Sequence, residues 1–170
     1  MENPIYARET LEFVAAAAEF CALLEQCGQR TEKELLDKLL KLLPLLYMKV
    51  QFLPDVETEG AFVPDGQVTE EDYDFVRLAV YGLLHEHDEY EMLVWDEDMQ
   101  TEESRWCSLS EGLADIYQEL KDLAAAFQTG EEPIMNDAVV ICRQAFLDSW
   151  GRKLLAVLRA LHEISDASYQ

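Results

Sequence analysis

The sequence predicts an all-α fold, a single-domain bundle of about five helices with two acidic loops spanning residues 1–170, and three observations carry that expectation. Apolar residues recur at three- and four-residue spacing in five separate stretches. Residues that cap helices stand just before them. No stretch shows the sustained alternation that a half-buried strand requires.

The first helix opens with Asn3 as cap and Pro4 at the first helical position, and runs from Ile5 to Cys27 before Gly28. Its apolar line is Tyr6, Phe13, Ala17, Phe20 and Leu24, and the run from Ala15 to Ala18 removes bulk so that a neighbour can approach closely. Thr31 with Glu34 forms a capping box for the second helix. Leucines from Leu35 to Leu46, followed by Tyr47, Val50 and Leu53, make an apolar arc too wide for a surface helix, so this segment is expected at the centre, kinked near Pro44 and ended by Pro54.

Residues 54–68 contain prolines, glycines and acids without helical period and read as a long connection. Thr69 and Asp72 cap a third helix with the line Val76, Val80, Leu83, His87, Tyr90 and Val94. A second acidic loop follows from Trp95 to Trp106. Ser108 and Glu111 then open a one-sided fourth helix through Leu109, Leu113, Ile116, Leu120, Leu123 and Phe127, which stops at Thr129-Gly130. Pro133 starts a last long helix to about Ile164, with Val139, Cys142, Phe146, Trp150, Val157 and Leu161 on one face and Val140, Leu147, Leu154 and Leu158 beside it.

Charge is distributed unevenly over these elements. Of a net charge of −22, the stretch from Asp55 to Glu103 supplies −16, with seventeen acids, Asp65 among them, against the single base Arg77. Such a surface repels nucleic acid and anionic lipid and attracts cations or basic protein surfaces. No apolar run approaches the ~20 residues of a membrane span, and the polar start from Met1 to Arg8 gives no export signal, so a cytoplasmic protein without membrane contact is expected. Cys21, Cys27, Cys107 and Cys142 lie in no C-x-x-C pair and read as reduced thiols, Cys107 partly buried.

Few residues form a chemical constellation. Asp96-x-Asp98-x-Gln100 begins like a calcium loop but has Thr101 where the turn needs glycine and Cys107 where the cation needs a bidentate glutamate. Glu86-x-x-Glu89 and Glu119-x-x-Asp122 match loosely the paired carboxylates with which all-α nucleotide pyrophosphohydrolases hold Mg²⁺. Acidic pairs at this spacing are frequent in so acidic a chain. On the fourth helix, moreover, Asp122 projects toward solvent and only Glu119 reaches the flank. His87 falls on the apolar line of the third helix, which predicts a buried imidazole held by a facing helix. No glycine-rich phosphate loop, Glu-x-x-His pair or G-x-S-x-G elbow is present.

Several segments together carry a resemblance: Glu86-His87-Asp88-x-Tyr90, Leu113-Ala114-Asp115-Ile116-Tyr117-Gln118-Glu119-Leu120-Lys121-Asp122, Met135-Asn136-Asp137-Ala138, Trp150-Gly151-x-Lys153-Leu154, Leu158-Arg159-Ala160-Leu161-His162, and Leu43-Pro44-Leu45-Leu46-Tyr47. In these the chain is similar to an all-helical family of Bacteroides-type bacteria, Domain of Unknown Function 5063. The resemblance implies a bacterial, cytosolic, single-domain helical protein and transfers no active site.

The expected function is a non-enzymatic interaction module whose acidic face, residues 55–103, meets a basic protein partner without a cofactor. The alternative is a Mg²⁺-dependent, pyrophosphohydrolase-like enzyme using Glu86, Glu89, Glu119 and Asp122. On either reading a surface of this charge should not be retained on duplex DNA even at low salt, because it offers few cations to displace the counterions of the phosphate backbone. An electrophoretic mobility shift at low ionic strength checks this, and a salt-sensitive shift would contradict it.

Overall fold

A computed structural model describes residues 2–64 and 66–168, so Asp65 lies outside the described residues. The helices are α1 (Arg8–Glu25), α2 (Glu32–Gln51), α3 (Glu70–Leu84), α4 (Leu109–Gln128), α5 (Glu132–Ala145) and α6 (Gly151–Ser168), with α5 and α6 joined through the turn Phe146–Trp150 into one long rod. Five helical rods therefore form the bundle. Between α3 and α4 stand two antiparallel strands, β1 (Glu89–Asp96) and β2 (Thr101–Ser108). No helix among the described residues is long and apolar enough to cross a membrane.

The caps form as their chemistry predicts. Thr31 with Glu34 and Thr69 with Asp72 make reciprocal capping boxes, and Ser108 Oγ accepts the Glu111 N–H. Asn3 accepts from the Ile5 N–H, although Pro4–Tyr6 make a short 3₁₀ turn ahead of α1. Helix α2 continues through Pro44 to Gln51.

The centre of the bundle is α4 and not α2. Helix α4 packs against α1, α3, α5 and α6, whereas α2 lies against α1 and α6. The reason is shape. Helix α4 buries Leu109, Leu113, Ala114, Ile116, Tyr117, Leu120, Leu123 and Ala126, which reach round most of its circumference, and small residues let neighbours close in. A Cβ at Gly112 would lie 2.8 Å from Val157 Cγ2 of α6. The leucines of α2 are wide in sequence, yet Leu40 and Leu45 are only half-buried.

The long last rod stays on the core because of a single π turn. At 100° per residue, Cys142, Phe146, Trp150 and Leu154 would drift round the helix by about 120°. The π turn at Phe146–Trp150, closed by the Gly151 N–H donating to the Phe146 carbonyl, adds about one residue to that turn and rotates the register back. All four side chains are consequently buried, whereas Leu147, expected beside the core, is exposed. Trp150 donates its indole N–H to the Cys142 carbonyl at 3.0 Å, stacks with Phe13 at a centroid distance of 6.4 Å and meets Phe146 edge to face at 4.7 Å.

The largest departure from the sequence expectation lies at residues 85–108. Helix α3 ends at Leu84 instead of continuing to Val94, and the segment expected as an acidic loop is a hairpin. His85 takes φ 47°, which breaks the helix, and a 3₁₀ turn over His85–Asp88 leads into β1. In β1, Tyr90, Met92, Val94 and Asp96 are half-buried and the residues between them exposed, the period of a strand. Asp96 Oδ1 accepts the Met99 N–H at 2.9 Å and Gln100 takes φ 54°, so the apparent calcium motif serves as the hairpin turn.

Two glycines give opposite expectations. Gly151→Ala would set a Cβ 2.7 Å from the Phe146 carbonyl oxygen and 2.8 Å from its ring, and should destabilise by about 1–3 kcal/mol. Gly82→Ala on α3 meets nothing within 4 Å and should stabilise by up to about 1 kcal/mol. Urea denaturation of both variants checks the contrast.

Candidate interaction surface

The hairpin is attached to the bundle by a buried carboxylate. Asp88, 3% exposed, accepts the Ser110 N–H at 2.7 Å and the hydroxyls of Ser108 and Ser110 at 2.7 and 3.0 Å. It thereby satisfies an unpaired donor at the start of α4 and sits on the positive end of that helix. His87 accordingly turns outward. Its ring is exposed, with Nδ1 2.6 Å from Glu32 Oε1, and the expected buried imidazole is replaced by the neighbouring aspartate. Inward burial at this point goes to the group that can be fully hydrogen-bonded there.

Directly opposed residues of an antiparallel pair share a face, which sorts the hairpin into two. Tyr90–Cys107, Met92–Arg105 and Val94–Glu103 lie on the half-buried side of β1, and Tyr90 packs against the core. Glu91–Trp106, Leu93–Ser104 and Trp95–Glu102 lie on the open side. There Leu93, Trp95 and Trp106 are 67%, 60% and 72% exposed, and Met99 at the tip is 72% exposed. Acids surround these side chains. Glu91 accepts the Ser104 hydroxyl, while Glu103 pairs with Arg105 at 3.2 Å.

Between the hairpin and α6 runs a groove of about 1000 Å³. Glu86, Glu89, Glu91 and Trp106 line one wall; Arg152, Leu155, Ala156 and Arg159 line the other. Glu86 and Glu89, proposed from the sequence as metal ligands, are thus exposed acids on the rim of a groove.

The other pair lies elsewhere. Glu119 and Asp122 border a small cavity of about 50 Å³ with Val63, Leu123 and Cys142. Asp122 is half-buried instead of facing solvent, and its Oδ1 accepts the Gln67 N–H at 3.1 Å, tying the 54–68 connection to α4. Burial, reinforced by Asp122, pushes the Glu119 carboxyl above the usual range despite Lys153. Glu119 also borders a pocket of about 160 Å³ with Gln118, Ser149 and Lys153. Beside it, Asp115 accepts the Tyr73 hydroxyl at 2.7 Å and the Lys153 ammonium at 2.6 Å. Burial and then the Asp115 carboxylate push the Tyr73 phenol up, so it remains a donor. The four sequence candidates are divided between the groove and this side of α4. Among the described residues no three His, Cys, Asp or Glu side chains are grouped so as to hold a metal ion.

A second buried carboxylate holds the acidic connection. Asp137, on the second turn of α5, accepts the Glu59 and Ala61 N–H groups at 2.7 Å each, the Thr58 hydroxyl at 3.0 Å and the Asn136 amide at 3.0 Å. Asn136 also donates to the Glu57 carbonyl at 2.8 Å, and Arg143 pairs with Asp55 at 2.8 Å. The loop is therefore built, and it leaves Phe62 83% exposed.

Sequence reasoning missed Asp88, Asp137, Trp106 and the outer face of α6. A signal existed for α6, where Arg152, Leu155, Ala156, Arg159 and Glu163 recur at helical spacing on the side away from the core line. For Asp137 the signal was position, an acid among apolar residues early in a helix. All four cysteines are free, and burial pushes the Cys21 thiol up to about 12, the state of an inert core thiol.

The chain belongs to the DUF5063 family, a domain of unknown function whose model matches residues 4–166. It is similar to protein BF1032 from Bacteroides fragilis, known from a crystal structure, with 39% sequence identity, 95% of this chain and 94% of that chain covered, and a TM-score of 0.83. A search of curated proteins finds no match.

The Asp137 anchor should be visible in the acid stability of the protein. Burial alone would raise its carboxyl pKa, but the Glu59 and Ala61 N–H groups, with Asn136 and Thr58, hold it below the usual carboxylate range. A depressed folded pKa means that the stabilisation is fully present above the unfolded value near ~3.9 and is lost as pH falls through the folded value. Asp137→Ala should cost on the order of 2 kcal/mol at neutral pH, with a gap to wild type that narrows below about pH 4. Paired urea titrations at several pH values measure this.

Proposed function

We propose that this DUF5063 protein is an interaction module that binds a basic protein partner through the acidic surface of residues 55–103, with the β1–β2 hairpin as its principal contact. The observation that carries the reading is coincidence in space. The segment with most of the negative charge also presents Leu93, Trp95 and Met99 on the hairpin, Phe62 on the loop, and Phe75, Leu78 and Tyr81 along the outer face of α3. Exposed aromatic side chains framed by charge are the composition of a protein-binding patch, in which the apolar groups supply affinity and the charges supply steering.

Hydrolysis assisted by Mg²⁺ would need carboxylates converging on the ions, typically two metals about 4 Å apart. Glu86 and Glu89 border the groove against α6, while Glu119 and Asp122 border the small cavity between α4 and α5. That division favours binding over metal-assisted catalysis as the reading.

Affinity purification of the tagged protein from its native host, at low and high salt and followed by mass spectrometry, provides the test. The expected result is a partner with a basic surface whose retention falls as salt rises. A variant carrying Glu89→Gln, Glu91→Gln, Glu102→Gln and Glu103→Gln should lose that partner by about tenfold or more while keeping its helical circular dichroism. Unchanged retention by this variant, or a partner that is itself acidic, would refute the reading.

A further inference from the structure

We infer that the groove between the hairpin and α6 is the seat of the partner's docking segment, and that this segment is an amphipathic helix with basic residues along one edge. The inference deepens the acidic-surface reading and rests on it. Three features define the occupant.

The first is charge. The hairpin wall presents Glu86, Glu89 and Glu91, whereas the α6 wall presents Arg152 and Arg159. Arg159 pairs with Glu163 at 3.5 Å on the open surface, and Arg152 makes no ion pair among the described residues. A segment matched to both walls carries lysine or arginine on the edge facing the hairpin and a carboxylate on the edge facing α6. A second copy of this chain would bring another strongly acidic hairpin toward the first, and like charges at close range oppose that contact.

The second is apolar surface. Trp106 on one side and Leu155 on the other, 72% and 48% exposed, offer partners for a hydrophobic stripe. Ala156, between the arginines, and Ala160, one turn further on, lower the α6 wall so that a backbone can approach closely.

The third is length. From Arg152 to Glu163 the wall of α6 extends about 16 Å, which accommodates roughly three turns of a helix laid alongside it. Helix-in-groove recognition reads anchors at three- and four-residue spacing, the same spacing with which the α6 wall is built.

Two synthetic peptides of about four turns and identical composition test the inference. One arranges leucines on a stripe with an excess of lysines on one edge and glutamates on the other; the second is scrambled so that no stripe exists. Calorimetry at low salt should show the amphipathic peptide binding at least about tenfold more tightly than the scrambled one. Leu155→Asp, an exposed position, should weaken the amphipathic peptide by about tenfold or more, while Leu11→Asp on α1, exposed and outside both the acidic segment and the groove, should change it by less than about twofold. Circular dichroism melts verify that both variants fold.

Equal binding of the two peptides, insensitive to Leu155→Asp but lost with the hairpin acids, would overturn the groove while leaving the acidic-surface reading standing. No binding of either peptide would count against both. Sedimentation velocity supplies a separate arm. A wild-type dimer that Leu155→Asp converts to monomer would give the groove to a second copy and overturn the inference.

Discussion

Four of the other helices in this protein are placed by the need of α4 to be covered. A helix with buried side chains round most of its circumference is stable only inside a shell, and α1, α3, α5 and α6 supply it. Each fully buried leucine, Leu113 and Leu120 among them, contributes roughly 1.5–3 kcal/mol relative to exposure, and these contributions are available only when all four neighbours are in position. The close approach of Gly112 to Val157 and the π turn before Gly151 are consequences of the same demand. One shortens the distance between rods. The other keeps the longest rod in register with α4 over its whole length.

The start of α4 also explains how an acidic segment becomes ordered. A buried helix N-terminus leaves backbone donors that must find acceptors, and Asp88 is the acceptor that the chain supplies. Drawing Asp88 inward pulls the chain off the axis of α3, rotates His87 to the surface and starts a strand where helical continuation was expected. Asp137 does the reverse from within the bundle, accepting N–H groups of the connection that would otherwise wander over the surface. Both carboxylates are buried and fully hydrogen-bonded, which is the condition under which a buried charge is tolerated. The remaining acids of the segment are left at the surface as its chemical character.

What was legible in the sequence was whatever depends on local chemistry. The boxes at Thr31 and Thr69, the bounds of α4 and the two-proline connection need only a few neighbouring residues, and each is found where the sequence places it, although α4, expected to be one-sided, is buried round most of its circumference. The hairpin was not legible, because Tyr90 and Val94 are four residues apart, a spacing that one turn of helix and two steps of strand both satisfy. Met92 breaks the tie toward the strand. Its weight is visible only once β2 stands opposite, and β2 reads as polar over its first five residues, Thr101, Glu102, Glu103, Ser104 and Arg105. The centrality of α4 over α2 was hidden for a related reason. An abundance of leucine measures how much could be buried, while small residues such as Gly112 and Ala114 decide where helices meet.

An isolated two-stranded hairpin is marginal in water, and its open edges invite pairing with other chains. Acids along β1 and β2 blunt those edges, and protection against aggregation is a sufficient reason for Glu89, Glu91, Glu102 and Glu103. It does not account for Leu93, Trp95 and Trp106. A hairpin shaped only for solubility would carry polar residues at those positions, since the open face contributes nothing to the core and exposed tryptophans oppose the effect of the acids beside them. Aromatic groups in solvent, held on strands that Asp88 fixes to the bundle, are accounted for when the acids have two tasks. On the reading proposed above, they keep unpartnered copies apart and select a cationic surface for the aromatic groups to cover.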